Sequence, residues 1–431
     1  MVVEEQVGVY DADGHEVAAV PRSRMRAENL RHGATAVVVR DGLGRVYVHR
    51  RTTTKDVYPG LLDFAAGGVL QAGENPHDGA VREAAEELGV HGVPLVAAGE
   101  ADYADRHSRY RAFRYTTTYD GPIRWQPEEV SGGDWFTVGA LCRLLEHTPD
   151  DVVPDSRALW AAQLAAWNDD RVELGGGWDS HTCLVEGRWV DRSPRHDDLA
   201  PWLLAETRLL PTIVGRLPLE VPVPVVVEHD PLVVRHRLVE GSACDPSALT
   251  PEDGREVGRF LRVLHDLPGS VAAAAALRSG GDDRQARDEL VSALRSVVLP
   301  LLPPSLLSVA ERLIAEATTV GAPRLCHGDL VREHLLVRAG RVSGVIDWGD
   351  ARVTDPAVDL AWALNGTNGP FMLQVIRTYG VTPDEATRAA RWFALVPWHA
   401  LLRAVTLGVD DARDDPVREV IVALQRWNAL T

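Results

Sequence analysis

Apolar residues recur at short intervals in the first third of the chain and predict an alternation of strands and helices. Alternating or short apolar runs predict β-strands at residues 7–10, 34–39, 46–49, 95–98, 111–119 and 134–136. Apolar residues spaced three and four apart predict helices at 75–88 and 156–167. The second helix ends in the polar run Asn168-Asp169-Asp170, which is typical of a seam between domains.

The rest of the chain changes from a β-rich to a helical pattern. Strands are predicted within residues 172–192 and around 222–238, with a helix near 198–214 between them. From residue 250 onward helical periodicity prevails, except for short strands predicted at 335–337 and 343–346.

This order, in a chain of 431 residues, predicts two domains. We expect a mixed α/β domain at residues 1–167 and an α+β domain at residues 168–431. The second domain is predicted to consist of a small β-rich lobe at 168–240 and a large helical lobe at 241–431.

The composition is that of a globular protein that does not bind nucleic acid. Hydrophobic residues make up 45% of the chain, and the net charge is −17 without a stripe of Lys and Arg. The four cysteines form no CxxC pair, which argues against a zinc cluster. Because no signal peptide or membrane-spanning run is recognisable, we expect a cytoplasmic protein. Lys55 is the only lysine.

The helix predicted at 75–88 carries three carboxylates on one face. Asn75 suits its N-cap, and Gly89 suits the left-handed position after its last turn. A buried stripe is expected at Val81, Ala84, Ala85 and Leu88, whereas the opposite side carries Glu83, Glu86 and Glu87. Carboxylates at this spacing repel one another, and Mg²⁺ with oxygen ligands relieves that repulsion.

The segment at residues 68–90 resembles the Nudix box, G-x5-E-x7-R-E-U-x-E-E-x-G-U, at every fixed position. The resemblance covers about residues 5–165 and implies an α/β/α sandwich that hydrolyses diphosphates with Mg²⁺. It implies that the metal is held by Glu83, Glu86 and Glu87, of which we select Glu86 as the base for the attacking water. It also implies that the loop and the helix are shaped by Gly68, Glu74, Arg82 and Gly89.

The residues around this segment resemble one branch of that family. Arg50-Arg51-Thr52, Lys55-Asp56 and Pro154-Asp155-Ser156 resemble the branch that contains isopentenyl diphosphate isomerase. The isomerases have a catalytic cysteine shortly before the box, whereas residues 64–67 here are Phe-Ala-Ala-Gly. The resemblance therefore favours hydrolysis of a diphosphate-linked compound, such as a nucleoside diphosphate derivative, over isomerisation.

A second acidic group follows two short apolar strands near the end of the chain. His327-Gly328-Asp329 comes after the first strand, and Ile346-Asp347-Trp348 ends a later strand, with Asp355 and Asp359 behind it. Phosphoryl transfer to an alcohol needs a carboxylate near the attacking hydroxyl and oxygen ligands for Mg²⁺ on the nucleotide. Asp329 and Asp347 can supply these two functions.

These segments resemble the aminoglycoside and macrolide phosphotransferases over about residues 170–431, which implies a bilobal protein-kinase-like fold. The resemblance implies Asp329 as catalytic base and Asp347 as metal ligand. His334 stands where most relatives have an asparagine ligand, and it either binds the metal, with Mn²⁺ as suitable as Mg²⁺, or positions the loop. The residues implied to bind ATP or GTP are Gly176, Arg192 and Glu206.

Two functions follow from these resemblances. The first is a bifunctional enzyme that hydrolyses a diphosphate and phosphorylates the hydroxyl of a small molecule. The alternative is an antibiotic-resistance phosphotransferase for a macrolide-like or aminoglycoside-like drug. In that case the Nudix half would be an accessory or ligand-sensing domain.

Overall fold

The strands and helices alternate in the first part of the chain, and helices dominate the last part. The computed structural model describes residues 4–175, 179–277, 281–317, 319–407 and 416–430. The strands are β1 Gln6–Tyr10, β2 Glu16–Pro21, β3 His32–Arg40, β4 Val46–Arg51, β5 Leu62–Asp63, β6 Val96–Ala104, β7 Arg109–Thr118, β8 Val130–Phe136, β9 Arg171–Glu173, β10 Ser180–Val185, β11 Trp189–Pro194, β12 Val225–His229, β13 Leu232–Arg237, β14 Ser242–Ala243, β15 Arg324–Cys326, β16 Leu335–Arg338, β17 Arg341–Val345 and β18 Arg352–Thr354. The helices are α1 Arg22–Ala27, α2 Pro76–Leu88, α3 Val138–His147, α4 Pro154–Asp169, α5 Ala200–Ile213, α6 Pro251–His265, α7 Gly269–Ala274, α8 Gly281–Ala293, α9 Leu307–Ala317, α10 Ala357–Asn365, α11 Gly369–Val375, α12 Pro383–Leu407 and α13 Pro416–Leu430.

The chain forms two compact units. The first comprises Met1–Gly176, His181–Arg192 and Val227–Arg235, and the second comprises the remaining residues. The first unit thus includes residues from strands β10 to β13, beyond the domain boundary predicted after residue 167. The boundary after residue 167 stays a prediction, because a division of the chain by compactness does not show where one family's domain ends and the next begins.

Strand β3 is the centre of the first unit. It pairs in parallel with β7, and the order β2-β1-β3-β4-β5 continues the sheet, with β8 antiparallel to β4. All nine residues of β3 are buried, so its apolar residues at 36–39 follow one another instead of alternating with polar ones. Val37 and Val39 pack with residues of α2, whereas Val38 packs with Trp160 of α4. Helices therefore cover both faces, which confirms the predicted α/β/α sandwich.

Helix α2 begins and ends as predicted, but its buried face is rotated. The Asn75 side chain accepts a hydrogen bond from the backbone N–H of His77, and Gly89 has a φ of 69°. The predicted buried residue Val81 is 41% exposed, whereas Ala80 and Glu87 are buried. The face is rotated because the helix also covers the loop at residues 66–68, which needs a carboxylate partner for its backbone.

The second unit is mainly helical. Its largest core cluster joins Phe260 and Leu264 of α6 to Trp348, Leu360 of α10 and Phe371 of α11. A second cluster joins Trp398 of α12 to Leu424 and Trp427 of α13. Two small sheets, of order β14-β16-β17 and β15-β18, carry the loops with the acidic residues. This arrangement confirms the predicted kinase-like fold, in which a helical part follows a β-rich part.

Some elements were not predicted. Strand β2 lies in a segment whose periodicity is weak, because it is exposed at four of its six positions. Helix α3 was not predicted either, although Val138, Leu141 and Leu145 stand at helical spacing. The short apolar strand predicted before His327 is β15, whereas β18, with three residues, is too short for a pattern of period two to be recognised. Within the part of the chain that the structure describes, no helix is long and apolar enough to cross a membrane.

Candidate active sites

An ion pair joins the loop before α2 to the helix itself. Arg82 Nε lies 2.9 Å from Glu74 Oε1, and Arg82 Nη2 lies 3.1 Å from Glu74 Oε2. Glu74 Oε2 also accepts a hydrogen bond of 2.9 Å from the backbone N–H of Gln71. A two-point guanidinium–carboxylate contact fixes direction as well as distance. The helix and its preceding loop are therefore held in one orientation.

Glu83 and Glu86 turn towards the same arginine. Arg82 Nη1 lies 2.7 Å from Glu83 Oε1 and 3.1 Å from Glu86 Oε2. Burial raises the pKa of Glu83, although Arg82 opposes this effect. Glu83 also lies against Gly68, where an added Cβ would be 2.3 Å from Glu83 Oε1. A residue larger than glycine at position 68 would displace this carboxylate.

Glu87 is buried next to a second acidic residue, Glu129. Gly67 donates a backbone hydrogen bond of 3.0 Å to Glu87 Oε2. Lys55 Nζ lies 2.7 Å from Glu129 Oε2 and 3.6 Å from Glu87 Oε1. Burial raises the pKa of Glu87 well above its usual range, whereas hydrogen bonds from Glu87 and Lys55 outweigh burial and lower the pKa of Glu129. The pKa values of the two neighbouring carboxyl groups therefore move in opposite directions.

These carboxylates fit a divalent cation, although they do not converge on one point. Among the described residues, the groups of three side chains with ligand atoms within 4.8 Å of one another do not include Glu83, Glu86 and Glu87. Instead, Arg82 holds Glu83 and Glu86, and Lys55 holds Glu87 and Glu129. Four carboxylates thus face two cationic side chains, and oxygen ligands of this kind are those that Mg²⁺ prefers.

A pocket of about 100 Å³ adjoins the loop at Gly67 and Gly68. At its other side Tyr110 donates a hydrogen bond of 2.7 Å to Asp155 Oδ2. Burial, together with the nearby Asp63, raises the pKa of Asp155 to about 6. The lining also includes Arg26, His32, Arg51 and Tyr58. Cationic and hydroxyl groups in a pocket beside a carboxylate cluster can bind an anionic substrate.

In the second unit, Asp359 holds the loop that contains Asp329. Its carboxylate is fully buried and accepts hydrogen bonds of 2.8 Å from the backbone N–H groups of both His327 and Gly328. His265 Nε2 lies 3.0 Å from Asp359 Oδ2. Burial opposes ionisation of Asp359, but its contact with His265 and the two backbone hydrogen bonds outweigh this effect and lower its pKa. The loop is therefore bound to an ionised carboxylate.

The His327 ring fixes the same loop through a defined tautomer. Its Nε2 lies 3.0 Å from the carbonyl oxygen of Ile346, to which it donates. Its Nδ1 accepts a hydrogen bond of 3.3 Å from the backbone N–H of Asp329. Burial lowers the pKa of His327, and its ring packs 4.8 Å, centre to centre, from that of Trp348. A neutral ring thus links the two loops that carry Asp329 and Asp347.

His334 lies between those two aspartates. Its Nδ1 donates a hydrogen bond of 2.7 Å to the carbonyl oxygen of Asp329, and its Nε2 lies 3.3 Å from Asp347 Oδ2. Asp347 has a φ of 64°, which is uncommon for a residue with a side chain and is found at functional sites. Because Nδ1 donates to a carbonyl oxygen, Nε2 is the ring nitrogen that faces the Asp347 carboxylate, and a cation between them can take both as ligands.

A cavity of about 420 Å³ adjoins Asp329. Three tryptophans contribute to its wall, namely Trp202, Trp362 and Trp392. Asp283 also lines it, but this carboxylate lies 3.3 Å from Arg287 Nη1 and 3.6 Å from Arg352 Nε. Burial lowers the pKa of His399, a further lining residue, to about 4. The cavity beside Asp329 therefore combines aromatic surface with balanced charge.

The three residues predicted to bind nucleotide lie in three different segments of the chain. Gly176 lies outside the described residues. Arg192 is half-buried in β11, and Glu206 is buried in α5. Their roles stay predictions.

Sequence reasoning missed several residues at both sites. Glu129 lies in a turn without a recognisable motif, and Asp283 and Trp392 are far from Asp329 in the sequence. Asp350 lies only three residues after Asp347 and was not singled out. The one signal for Glu129 in the sequence was Lys55, because it is the only lysine of the chain and Glu129 is its closest acidic partner.

Comparisons with known proteins identify a family for each part of the chain. A model of the phosphotransferase enzyme family matches residues 170–393, and a model of the NUDIX domain matches residues 30–156. The uncharacterized Nudix hydrolase YfcD of Shigella flexneri is 42% identical over 157 residues, which cover 36% of this chain and 86% of that protein. The uncharacterized Nudix hydrolase orf19 of Rhodococcus erythropolis is 40% identical over 168 residues, 37% of this chain and 91% of that protein.

A solved structure resembles the second part of the chain. The GDP and kanamycin complex of APH(2")-IIia has a TM-score of 0.54 at 23% identity and covers 68% of this chain and 100% of that one. At this identity the likeness concerns the fold alone. The isomerase-like branch predicted for the first part stays a prediction, because the matches do not name it.

We predict that Gly328 cannot be replaced without moving Asp329. Gly328 has a φ of 89°, and an added Cβ would lie 2.2 Å from the carbonyl oxygen of Asp350. Gly340 is a matched control, because its φ is 75° and no heavy atom lies within 4 Å of an added Cβ. Gly328→Ala should lower the free energy of unfolding by about 1–3 kcal/mol more than Gly340→Ala, measured by urea unfolding with circular dichroism. Equal losses would contradict the prediction.

Proposed function

Since the chain belongs to the phosphotransferase enzyme family and also contains a Nudix hydrolase domain, we propose that it catalyses two reactions at separate sites. One site transfers a phosphoryl group from ATP or GTP to the hydroxyl of a small molecule, and the other hydrolyses a diphosphate. The observation that carries the proposal is the arrangement of His334 between Asp329 and Asp347, on a loop bound to the buried Asp359.

At the phosphotransferase site, Asp329 accepts the proton of the attacking hydroxyl. Burial raises the pKa of Asp329, which makes this carboxylate a better proton acceptor. His327 and Asp359 keep the backbone of Asp329 in place through the hydrogen bonds already described. His334 and Asp347 would hold Mg²⁺ or Mn²⁺, which supplies neutralisation of charge on the nucleotide phosphates.

At the Nudix site, Glu83, Glu86 and Glu87 would hold Mg²⁺, which supplies activation of water and neutralisation of phosphate charge. Glu86 is the most exposed of the three, with 55% of its side chain accessible, and we propose that it accepts the proton of the attacking water. Lys55 and Arg51 bind substrate phosphates by charge, and Glu129 keeps Lys55 close to Glu87. Residues 64–67 contain no thiol, which supports hydrolysis over isomerisation.

Substitutions at one site should abolish one reaction and preserve the other. Asp329→Ala should lower nucleotide-dependent phosphorylation by about 100-fold or more and leave diphosphate hydrolysis unchanged, whereas Glu86→Gln with Glu87→Gln should do the reverse. Phosphate release and acceptor phosphorylation are measured on the full chain with a panel of diphosphates and alcohols. Glu333→Gln and Asp78→Asn are exposed controls near the respective sites. Loss of both reactions from either change would overturn the two-site proposal.

We further propose that His334 binds the metal, because its Nε2 faces Asp347 while its Nδ1 donates to the backbone. His334→Asn should shift the ratio of phosphorylation rates in Mn²⁺ and Mg²⁺ towards Mg²⁺, since an amide oxygen is a harder ligand than imidazole. Glu333→Gln, a substitution at an exposed neighbour, should leave that ratio unchanged. An unchanged ratio in His334→Asn would favour a role in loop positioning.

The cavity beside Asp329 supports a neutral acceptor with an apolar body. Three tryptophans line it, and its carboxylates besides Asp329 have arginine partners. Asp283 is paired with Arg287 and Arg352, and Asp350 Oδ1 lies 3.7 Å from Arg352 Nη1. A polycationic acceptor needs unpaired carboxylates, so this observation favours the macrolide-like over the aminoglycoside-like form of the resistance alternative.

We therefore expect a neutral macrolide to be phosphorylated with a kcat/KM at least about 10-fold higher than kanamycin, which corresponds to about 1.4 kcal/mol. Arg287→Ala removes the closer partner of Asp283 and should raise the kcat/KM for kanamycin. Gln285→Ala on the same helix serves as control, since Gln285 contacts the exposed Glu289. A preference of the wild-type protein for kanamycin would contradict the prediction.

A further inference from the structure

The turn between β3 and β4 is bound by side chains of the five-stranded sheet β12-β13-β11-β10-β9. These contacts lie entirely within the first compact unit. Trp189 Nε1 donates a hydrogen bond of 3.3 Å to the carbonyl oxygen of Gly42, and Arg235 Nη1 donates one of 2.7 Å to that of Leu43. Asp41 Oδ1 orders the turn by accepting hydrogen bonds from the backbone N–H groups of Leu43 and Arg45. Two consecutive carbonyls of an ordered turn are thus held by the sheet.

The same arginine is joined to strand β11 by a buried ion pair. Arg235 Nε lies 2.5 Å from Asp191 Oδ1, and Arg235 Nη2 lies 2.8 Å from Asp191 Oδ2. Arg235 is 2% exposed and Asp191 is 5% exposed. A buried two-point pair of this kind tolerates little displacement, because either group would be left without its partner in a medium of low dielectric constant. The position of Asp191 is therefore linked to that of the turn.

Further contacts hold the sheet against the first domain. Arg40, the last residue of β3, donates a hydrogen bond of 3.1 Å to Glu186 Oε2 and lies 4.4 Å above the ring of Trp167. Glu228 of β12 accepts hydrogen bonds from Thr137, the N-cap of α3, and from Arg143 within that helix. The sheet is thus held at three separate places, by the turn, by Arg40 and by α3.

Strand β11 carries Trp189 and Asp191, which contact the turn and Arg235, on one face and Arg192 on the other. Side chains alternate along a strand, so Trp189 and Asp191 share a face from which Arg192 points away. We propose that the turn at residues 41–44 positions Arg192 for nucleotide phosphate by holding Trp189 and Asp191. Trp189, Asp191 and Arg235 are then positioning residues for nucleotide binding, and the Nudix domain holds the strand that carries Arg192. The inference rests on the proposed phosphotransferase function and on the nucleotide-binding role that the sequence predicts for Arg192.

Gly44 offers a probe that adds one methyl group to this contact. Its φ is 75°, and an added Cβ would lie 2.6 Å from Trp189 Cη2 and 2.9 Å from Arg40 Nη2. Gly92 is a matched control in the same domain, with a φ of 73° and no heavy atom within 4 Å of an added Cβ. Gly44→Ala and Gly92→Ala therefore share the backbone strain, and only the first disturbs Trp189.

The experiment measures binding of Mg²⁺-bound, non-hydrolysable analogues of ATP and GTP to the full chain by calorimetry. Gly44→Ala should raise the dissociation constant of the preferred nucleotide by about 5-fold or more, and Gly92→Ala should leave it unchanged. Both single variants are repeated in an Arg192→Ala background, where the effect of Gly44→Ala should vanish because the residue through which it acts is absent. This cycle also excludes any nucleotide bound at the Nudix site.

Hydrogen–deuterium exchange of residues 189–194 gives a readout that does not depend on nucleotide. Exchange there should increase in Gly44→Ala and not in Gly92→Ala. Unchanged affinity in Gly44→Ala, or an equal effect of Gly44→Ala with and without Arg192, would overturn this inference alone. Wild-type protein that binds neither nucleotide would overturn the proposed phosphotransferase function and with it this inference, whereas the exchange data would still show whether the turn holds the strand.

Discussion

A buried carboxylate that accepts hydrogen bonds from backbone N–H groups holds each candidate site together. In the second unit Asp359 binds two consecutive N–H groups of the loop that carries Asp329. In the first unit Glu87 binds the N–H of Gly67, beside the loop against which Glu83 lies. A buried carboxyl group needs hydrogen-bond partners, so it is satisfied only when the loop adopts the conformation that supplies them. The position of the remaining site residues depends on this requirement.

The two sites balance their charges by different means. Around Asp329 the partners are neutral or shared, since His327 donates to a carbonyl oxygen and accepts from a backbone N–H. Around Glu87 and Glu129 the negative charge is offset by Lys55 and by the raised pKa of Glu87. The hydrogen bonds of His327 fix the backbone at Asp329 before a substrate binds. The carboxylates around Glu87 keep negative charge that a divalent cation can neutralise. This difference fits a site that orients an acceptor and a site that activates water.

The sequence predicted features that depend on local spacing. The ends of α2 followed from Asn75 and Gly89, since each residue satisfies the backbone of its immediate neighbours. The exposed Val81 could not be predicted, because the apolar spacing of the helix fits two orientations that differ by one residue. Glu129 and Asp283 meet their sites only through the fold, and nothing near them in the sequence indicates that they do so. The proximity of residues distant in the sequence could be predicted where recognisable motifs contain both of them, as for Asp329 and Asp347.

The single lysine makes the first site chemically distinct from the rest of the chain. All other cationic side chains of the Lys and Arg class are guanidinium groups, which do not react with acylating reagents under mild conditions. The only side-chain ε-amino group in 431 residues therefore lies between Glu87 and Glu129, with 16% of its surface accessible. A lysine-selective acylating label has one side-chain target in the whole chain, and the reactivity of that target reports on the occupancy of the carboxylate cluster.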